Sequence, residues 1–259
     1  MSIKPEIAAL KDEVTSWRRD LHMHPEILYD VHRTAGRVEE LLRSFGVDEV
    51  VPGMGRTGVV GVIRGRRNES GKVVALRADM DALPIEERTN LPYASRTNGK
   101  MHACGHDGHT AMLLGAAKHL AANRDFDGTV IAMFQPAEEG GAGAKAMLDD
   151  GLVDRFGVQC FYGLHALPGV PVGQFATRPG PLMAATVNFD ITIEGKGAHG
   201  AMPHTGVDPV VAAAHIVTAL QTISSRNVDP IKSVVVSVTA INGGSAYNVI
   251  PQTVALKGT

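Results

Sequence analysis

What the sequence lacks is the first guide. It has two cysteines in 259 residues, so no disulfide framework can form and a reducing compartment is expected. Charge of one sign is also missing. Lys and Arg total 25 against 27 Asp and Glu, a net charge of -2, which gives no basic footprint for nucleic acid or an anionic membrane. No apolar run approaches the ~18 residues of a membrane-spanning helix. The opening MSIKPEIAALKDEV has no apolar core of a signal peptide, so a cytoplasmic location is expected. Internal repeats and low-complexity tracts are absent. What remains is 44% hydrophobic and 20% charged, a globular composition long enough for a large core and one or two domains. Eleven histidines, unevenly placed, are the compositional oddity.

Hydrophobic spacing organises the chain. Ile7, Leu10, Val14, Trp17 and Leu21 predict one helix that starts near Pro5 and is stopped by Pro25. A second helix is expected over Arg33–Phe45, with Gly46 as its C-cap. Strands at Gly58–Ile63, Lys72–Ala78, Gly128–Phe134 and Val158–Leu164 alternate with helices at His109–Ala122 and Ala142–Asp150. The strand at 158–164 is expected to be buried. That alternation indicates an α/β layered domain. Near Arg178–Ala185 a Pro/Gly-rich stretch suggests a linker. A strand at Val187–Glu194, a helix at Asp208–Ser224 and strands at Ser233–Ile241 and Thr253–Lys257 then form a β-α-β-β unit. A split βαβ unit needs another helix and strand, so the chain is expected to stop inside this domain. The expected domains are 1–184 and 185–259.

Chemistry concentrates after the strands. In Met101-His-Ala-Cys-Gly-His-Asp-Gly-His109, Cys104 and His106 flank one glycine and can converge on a single metal such as zinc. Glu138 and Glu139 follow a buried strand, where open α/β sheets place ligands. Adjacent carboxylates are costly without a cation, although a solvated turn would also accommodate them. His165 ends another strand. Asp79 and Asp81 follow a third, and either could orient a ligand or a catalytic carboxylate.

These motifs resemble the M20 metallopeptidase and amidohydrolase family, in its hippurate hydrolase and N-acyl-amino-acid amidohydrolase branch. The resemblance covers Arg18–Glu26, Asp79–Pro84, His102–His109, Gln135–Gly140, His165, Gly195–His204 and Asn248–Pro251. It implies a zinc-peptidase-like α/β catalytic domain with an inserted ferredoxin-like α+β lid that forms a homodimer or tetramer. It implies two divalent ions, zinc first, with manganese, cobalt or nickel as alternatives. Cys104, His106, Glu139 and His165 would be ligands and Glu138 the general base. Asp81 would support the base, with Asp79 competing for that role. His199 would reach the substrate carbonyl and Asn248 would hold the N-acyl amino acid substrate. Family members also carry a last lid helix and strand, then a closing portion of the catalytic domain with one more histidine ligand.

Two other readings stand beside this one. Cys104 could be the nucleophile of a cysteine hydrolase, with His102 or His106 as base and a helix N-terminus lowering the thiol pKa. The chain could also be a non-catalytic, truncated metal-binding remnant. Trp17 is expected in the core and Cys160 as a buried thiol. His119 and His215 are expected to be structural, and His204 to flank the substrate entrance. His22 and His24 are assigned no chemistry.

Overall fold

The computed structural model describes residues 3–259, which fall into two compact units that divide between Pro171 and Val172. The expected division at 184/185 lies within the second unit. Among the described residues no helix is long and apolar enough to cross a membrane.

The first unit runs α1 (Pro5–Ala8), α2 (Lys11–Met23), α3 (His32–Ser44), β1 (Glu49–Met54), β2 (Gly58–Arg64), β3 (Val73–Asp79), α4 (His106–Ala122), β4 (Thr129–Gln135), α5 (Gly143–Asp149), α6 (Leu152–Phe156) and β5 (Cys160–Gly163). Its sheet has the order β1-β2-β4-β3-β5. The β1–β2 and β2–β4 pairs are antiparallel, while β3 runs parallel to both β4 and β5. Asp79 pairs with Gln135 in register, so the chain leaves β3, β4 and β5 at one edge of the sheet.

The apolar strands reflect a sheet covered on both faces. Val59, Ile63, Ala132 and Phe134 join Trp17, Val38, Leu42 and Leu114 from α2, α3 and α4 in one core. The alternate residues Val60, Val62, Ile131 and Met133 join Met147 and Leu152 from α5 and α6 in another. Trp17 is thus a core residue, as its spacing predicts.

Three local expectations are corrected. The first helix is broken, because the Leu10 N–H reaches Ile7 O in a tight three-residue turn between α1 and α2. The third helix begins at His106 rather than His109, so His106 and His109 lie within its first turns. The strand at the end of the unit is not buried. β5 is an edge strand with β3 as its one neighbour, Phe161 and Tyr162 stay exposed, and Cys160 is only half-buried.

The second unit contains β6 (Phe189–Glu194), β7 (Ala198–His199), α7 (Pro209–Leu220), β8 (Val238–Asn242), β9 (Val249–Ile250) and β10 (Thr253–Gly258). Asp208 caps α7 by accepting the N–H groups of Val210 and Val211, as an N-cap aspartate does. An antiparallel sheet in the order β6-β10-β8 packs Val254 and Leu256 against Ala213, with Ile191, Ile193, Ile216 and Val217 around them. β7 and β9 form a separate two-stranded ladder, which the periodicity did not reveal.

Phe134 is fully buried on the central strand β4. Phe134→Ala should cost about 3–5 kcal/mol of stability, read by denaturant unfolding. A loss below about 1 kcal/mol would mean that the two-sided core does not bear on this side chain.

Candidate metal and catalytic site

The parallel strand ends and the first turn of α4 bring the chemistry-bearing residues together. Gly105 adopts φ +90°, a conformation that favours glycine, so Cys104 and His106 can stand on either side of a sharp bend. His106 is buried. Its Nδ1 lies 2.7 Å from Asp81 O and donates to that carbonyl, which leaves Nε2 to face the site. Nε2 has no hydrogen-bond partner among the described residues. It sits 3.5 Å from Asp79 Oδ2, 3.9 Å from Glu139 Oε1 and 4.0 Å from Glu138 Oε2. Burial acts to lower the His106 pKa, but the Asp81 and Asp79 interactions outweigh it and the net shift is upward.

Glu138 and Glu139 sit on a turn after β4 whose backbone is held from below. The Asp81 carboxylate accepts the Glu138 N–H at 2.9 Å and the Glu139 N–H at 3.1 Å. Ala137, just before the pair, is buried at φ +50°. Such a conformation costs an L-residue about 1–2 kcal/mol. Beyond the pair, Tyr29 Oη donates to Gly141 O at 2.6 Å. Gly143 then passes so close to Pro136 that a Cβ would fall 1.7 Å from its carbonyl oxygen. Burial raises the Glu139 pKa and the Glu138 charge adds to it, while His106 opposes, leaving a net upward shift.

Three groupings of possible metal donors share His106. Donor atoms of Cys104, His106 and His165 lie within 4.8 Å of one another, as do those of His106, Glu138 and Glu139. His165 donates Nδ1–H to Ala166 O at 2.7 Å, which turns Nε2 to within 3.5 Å of Cys104 Sγ. A thiol, two imidazole nitrogens and carboxylates around an orphaned buried nitrogen form the donor set of a borderline divalent cation. Such an ion fits these residues. A third grouping, Asp79, His106 and His109, is different. His109 Nδ1 bonds Asp79 Oδ1 at 2.6 Å and its Nε2 accepts the Ala166 N–H at 2.8 Å, so His109 has no free nitrogen.

Asp79 and Asp81 therefore do different things. Asp79 is fully buried, with Arg77 Nη1 at 2.7 Å on Oδ2. Burial works to raise its pKa, but the His109 bond and the Arg77 charge hold it at about 2. Asp81 holds the Glu138–Glu139 backbone. The cysteine-nucleophile reading meets an obstacle here. Burial, then the Glu139, Glu138 and Asp79 charges, push the Cys104 thiol up to about 11, away from thiolate.

His199 and Asn248 lie in the second unit, where the β7–β9 ladder pairs His199 with Val249. The Gly200 N–H donates to Asn248 O at 2.7 Å. His199 Nδ1 accepts the Ala201 N–H at 3.1 Å, leaving an exposed Nε2–H free to donate. His204 is exposed on a short turn. Sequence reasoning gave no role to His109, Arg77 or His22. The signal for His109 was its place three residues after His106, on one helix face. Arg77 stands two residues before Asp79, on the same strand face.

Comparison with known proteins follows this geometry. The profile of peptidase family M20/M25/M40 matches residues 75–256. The chain is 48% identical over 254 residues to an N-acetyl-L-cysteine deacetylase of Bacillus subtilis, covering 98% of this chain and 60% of the relative. It is 46% identical to a hippurate hydrolase of Campylobacter jejuni, covering 99% of this chain and 66% of the relative. A crystal structure of a Bacillus subtilis dinuclear metal-binding peptidase from the M20 family superposes with a TM-score of 0.71 at 39% identity, over 97% of this chain and 64% of that one. The chain thus spans 60% to 66% of the length of these two curated relatives.

Asp81→Asn should loosen the Glu138–Glu139 turn, because an amide cannot accept both backbone N–H groups. The loss of a bond to a charged acceptor is about 1.5–3 kcal/mol. Amide exchange at Glu138 and Glu139 should therefore quicken by at least about tenfold. Unchanged exchange at both positions would remove Asp81 from this role.

Proposed function

Because this chain belongs to peptidase family M20/M25/M40, we propose that it hydrolyses the amide bond of N-acyl amino acids at a two-metal site. Cys104, His106, Glu139 and His165 would hold the ions. The observation that carries the reading is the buried, unpartnered His106 Nε2 facing Asp79, Glu138 and Glu139. When bound, divalent ions supply Lewis acidity, which makes water a nucleophile near neutral pH. Zinc suits the thiolate and imidazole donors best, with manganese, cobalt or nickel as alternatives.

The rest of the mechanism belongs to the chain. Glu138 takes a proton from the attacking water and returns it to the leaving amine nitrogen as the C–N bond breaks. Asp81 keeps Glu138 in place through the backbone. His199 donates Nε2–H to the substrate carbonyl oxygen as it gains charge, and Asn248 holds the substrate. We assign the protein to the cytoplasm as a homodimer or tetramer formed through the second unit, whose sheet has β6 and β8 as edges. The catalytic portion would extend to residue 184 and the lid over 185–259.

The test is turnover of N-benzoylglycine and N-acetylcysteine with added Zn²⁺ or Mn²⁺. Chelation should abolish it and re-addition of metal restore it, whereas a cysteine hydrolase would survive. Glu138→Gln should lower turnover ~10²–10⁴-fold while retaining metal. Metal binding without turnover in the wild type would favour the non-catalytic reading, and equal turnover in Glu138→Gln would remove the assigned base. His199→Ala should lose ~10²–10³ in turnover with unchanged metal content. Retention of most of its turnover would exclude the carbonyl role.

A further inference from the structure

A second group of buried charges lies outside the ligand set. His22, in the last turn of α2, is 3% exposed and has a carboxylate at each ring nitrogen. Nδ1 is 2.8 Å from Asp107 Oδ2, and Nε2 is 3.1 Å from Glu87 Oε1. A neutral imidazole has one N–H and one lone pair, so it can serve only one ionised carboxylate as donor. An imidazolium makes both contacts as a donor, against the like charge of Arg18, whose Nη2 stands 3.4 Å from Nδ1. The bond to Asp107, opposed by burial and aided by the bond to Glu87, holds the His22 pKa above its ordinary value.

The surroundings agree with that charge. Arg18 Nε lies 2.7 Å from the same Asp107 oxygen, so two cations face two carboxylates. His102 is also buried, 4% exposed, with its ring centroid 6.4 Å from that of His22. Tyr93 meets the His22 ring edge-on at 5.7 Å and carries the Arg18 and Arg19 guanidiniums at 5.3 Å and 4.8 Å.

The partners of His22 lead to the ligands by two routes. Asp107 follows His106 in the first turn of α4. Glu87 anchors the irregular segment that leads to Cys104: its Oε2 accepts the Ser95 N–H at 2.6 Å, and its Oε1 also bonds the Thr89 hydroxyl. The Arg96 N–H donates to Met23 O at 2.9 Å, tying the same segment to the end of α2.

We propose that His22 is a positioning residue for the metal-holding bend. As a doubly bonded imidazolium it joins Asp107 to Glu87, and so fixes His106 and Cys104 relative to one another. The inference rests on the proposed metal site for one of its two readouts.

The first readout is Co²⁺ titration, in which thiolate charge-transfer and d–d absorption report the geometry at Cys104 and His106. His22→Asn should weaken Co²⁺ binding ~10–100-fold and shift the d–d band, as loss of an outer partner does, while thermal unfolding stays cooperative. Wild-type affinity and spectrum in this variant would overturn the proposal. A wild-type chain without a thiolate band would sink the metal reading instead. The second readout then decides: in metal-free protein, His22→Asn must speed amide exchange at both Ser95 and the first-turn amides Gly108 and His109. Acceleration confined to α2 would overturn it. If His22→Asn does not fold, Glu87→Gln must produce the same paired acceleration at smaller amplitude, and its absence at Gly108 and His109 would overturn the proposal. Because the folded-state pKa is raised, the stability from His22 is complete below ~6.5 and is lost as pH rises through the folded value. Both ¹⁵N resonances of His22 should therefore read as protonated just above that pH, and a lone-pair shift at either nitrogen there would count against the clamp.

Discussion

The bidentate hold of Asp81 on the Glu138 and Glu139 amides is the constraint from which the site takes its shape. Two successive side chains on an extended backbone diverge, so a turn bearing both must be pinned if each is to keep a separate task. Asp81 is buried, and a buried carboxylate is tolerable when N–H groups satisfy it. Its own backbone carbonyl receives the His106 Nδ1–H. One residue thus fixes the orientation of the carboxylate pair and the tautomer of the His106 imidazole. The left-handed Ala137 is the strain accepted in exchange.

The fold was legible where burial enforces a period. The two-sided strands β2, β3 and β4 and the helices α3 and α4 follow directly from apolar spacing. β1 escaped notice because Pro52 and Gly53 interrupt it, and β7 and β9 because two residues carry no period. β5 misled for another reason. An apolar edge strand reads the same as a central one in sequence, since neighbours in space decide its burial.

The site was legible as a set of motifs but not as a set of bonds. Cys104, His106, Glu138, Glu139 and His165 could be singled out by residue type and by place after strands, and the other four meet His106 in two groups of three. Which aspartate does what could not be read, because Asp79 and Asp81 both follow β3 and differ only in what meets them. The His109–Asp79–Arg77 contacts depend on α4 lying across β3. The His22 contacts join residues separated by 65 and 85 positions. No local pattern carries such information.

The distribution of compensating charge then explains where a cation belongs. Arg77 and His109 are spent on Asp79, and Arg18 and His22 on Asp107 and Glu87. Each of those carboxylates has its pKa lowered, as an acid beside a cation should. Glu139 and Cys104 shift the other way, upward, because burial and mutual repulsion exceed what His106 alone returns. The polypeptide thus sets a cation against Asp79, Asp107 and Glu87 and leaves the deficit at the strand ends, beside an imidazole nitrogen with no partner among the described residues. A deficit of that kind is a free-energy cost in the apo chain and becomes binding energy when a divalent ion enters. The preorganised frame would make that conversion efficient: an ion meeting donor groups already oriented by Asp81 and by the first turn of α4 would have little ordering left to impose.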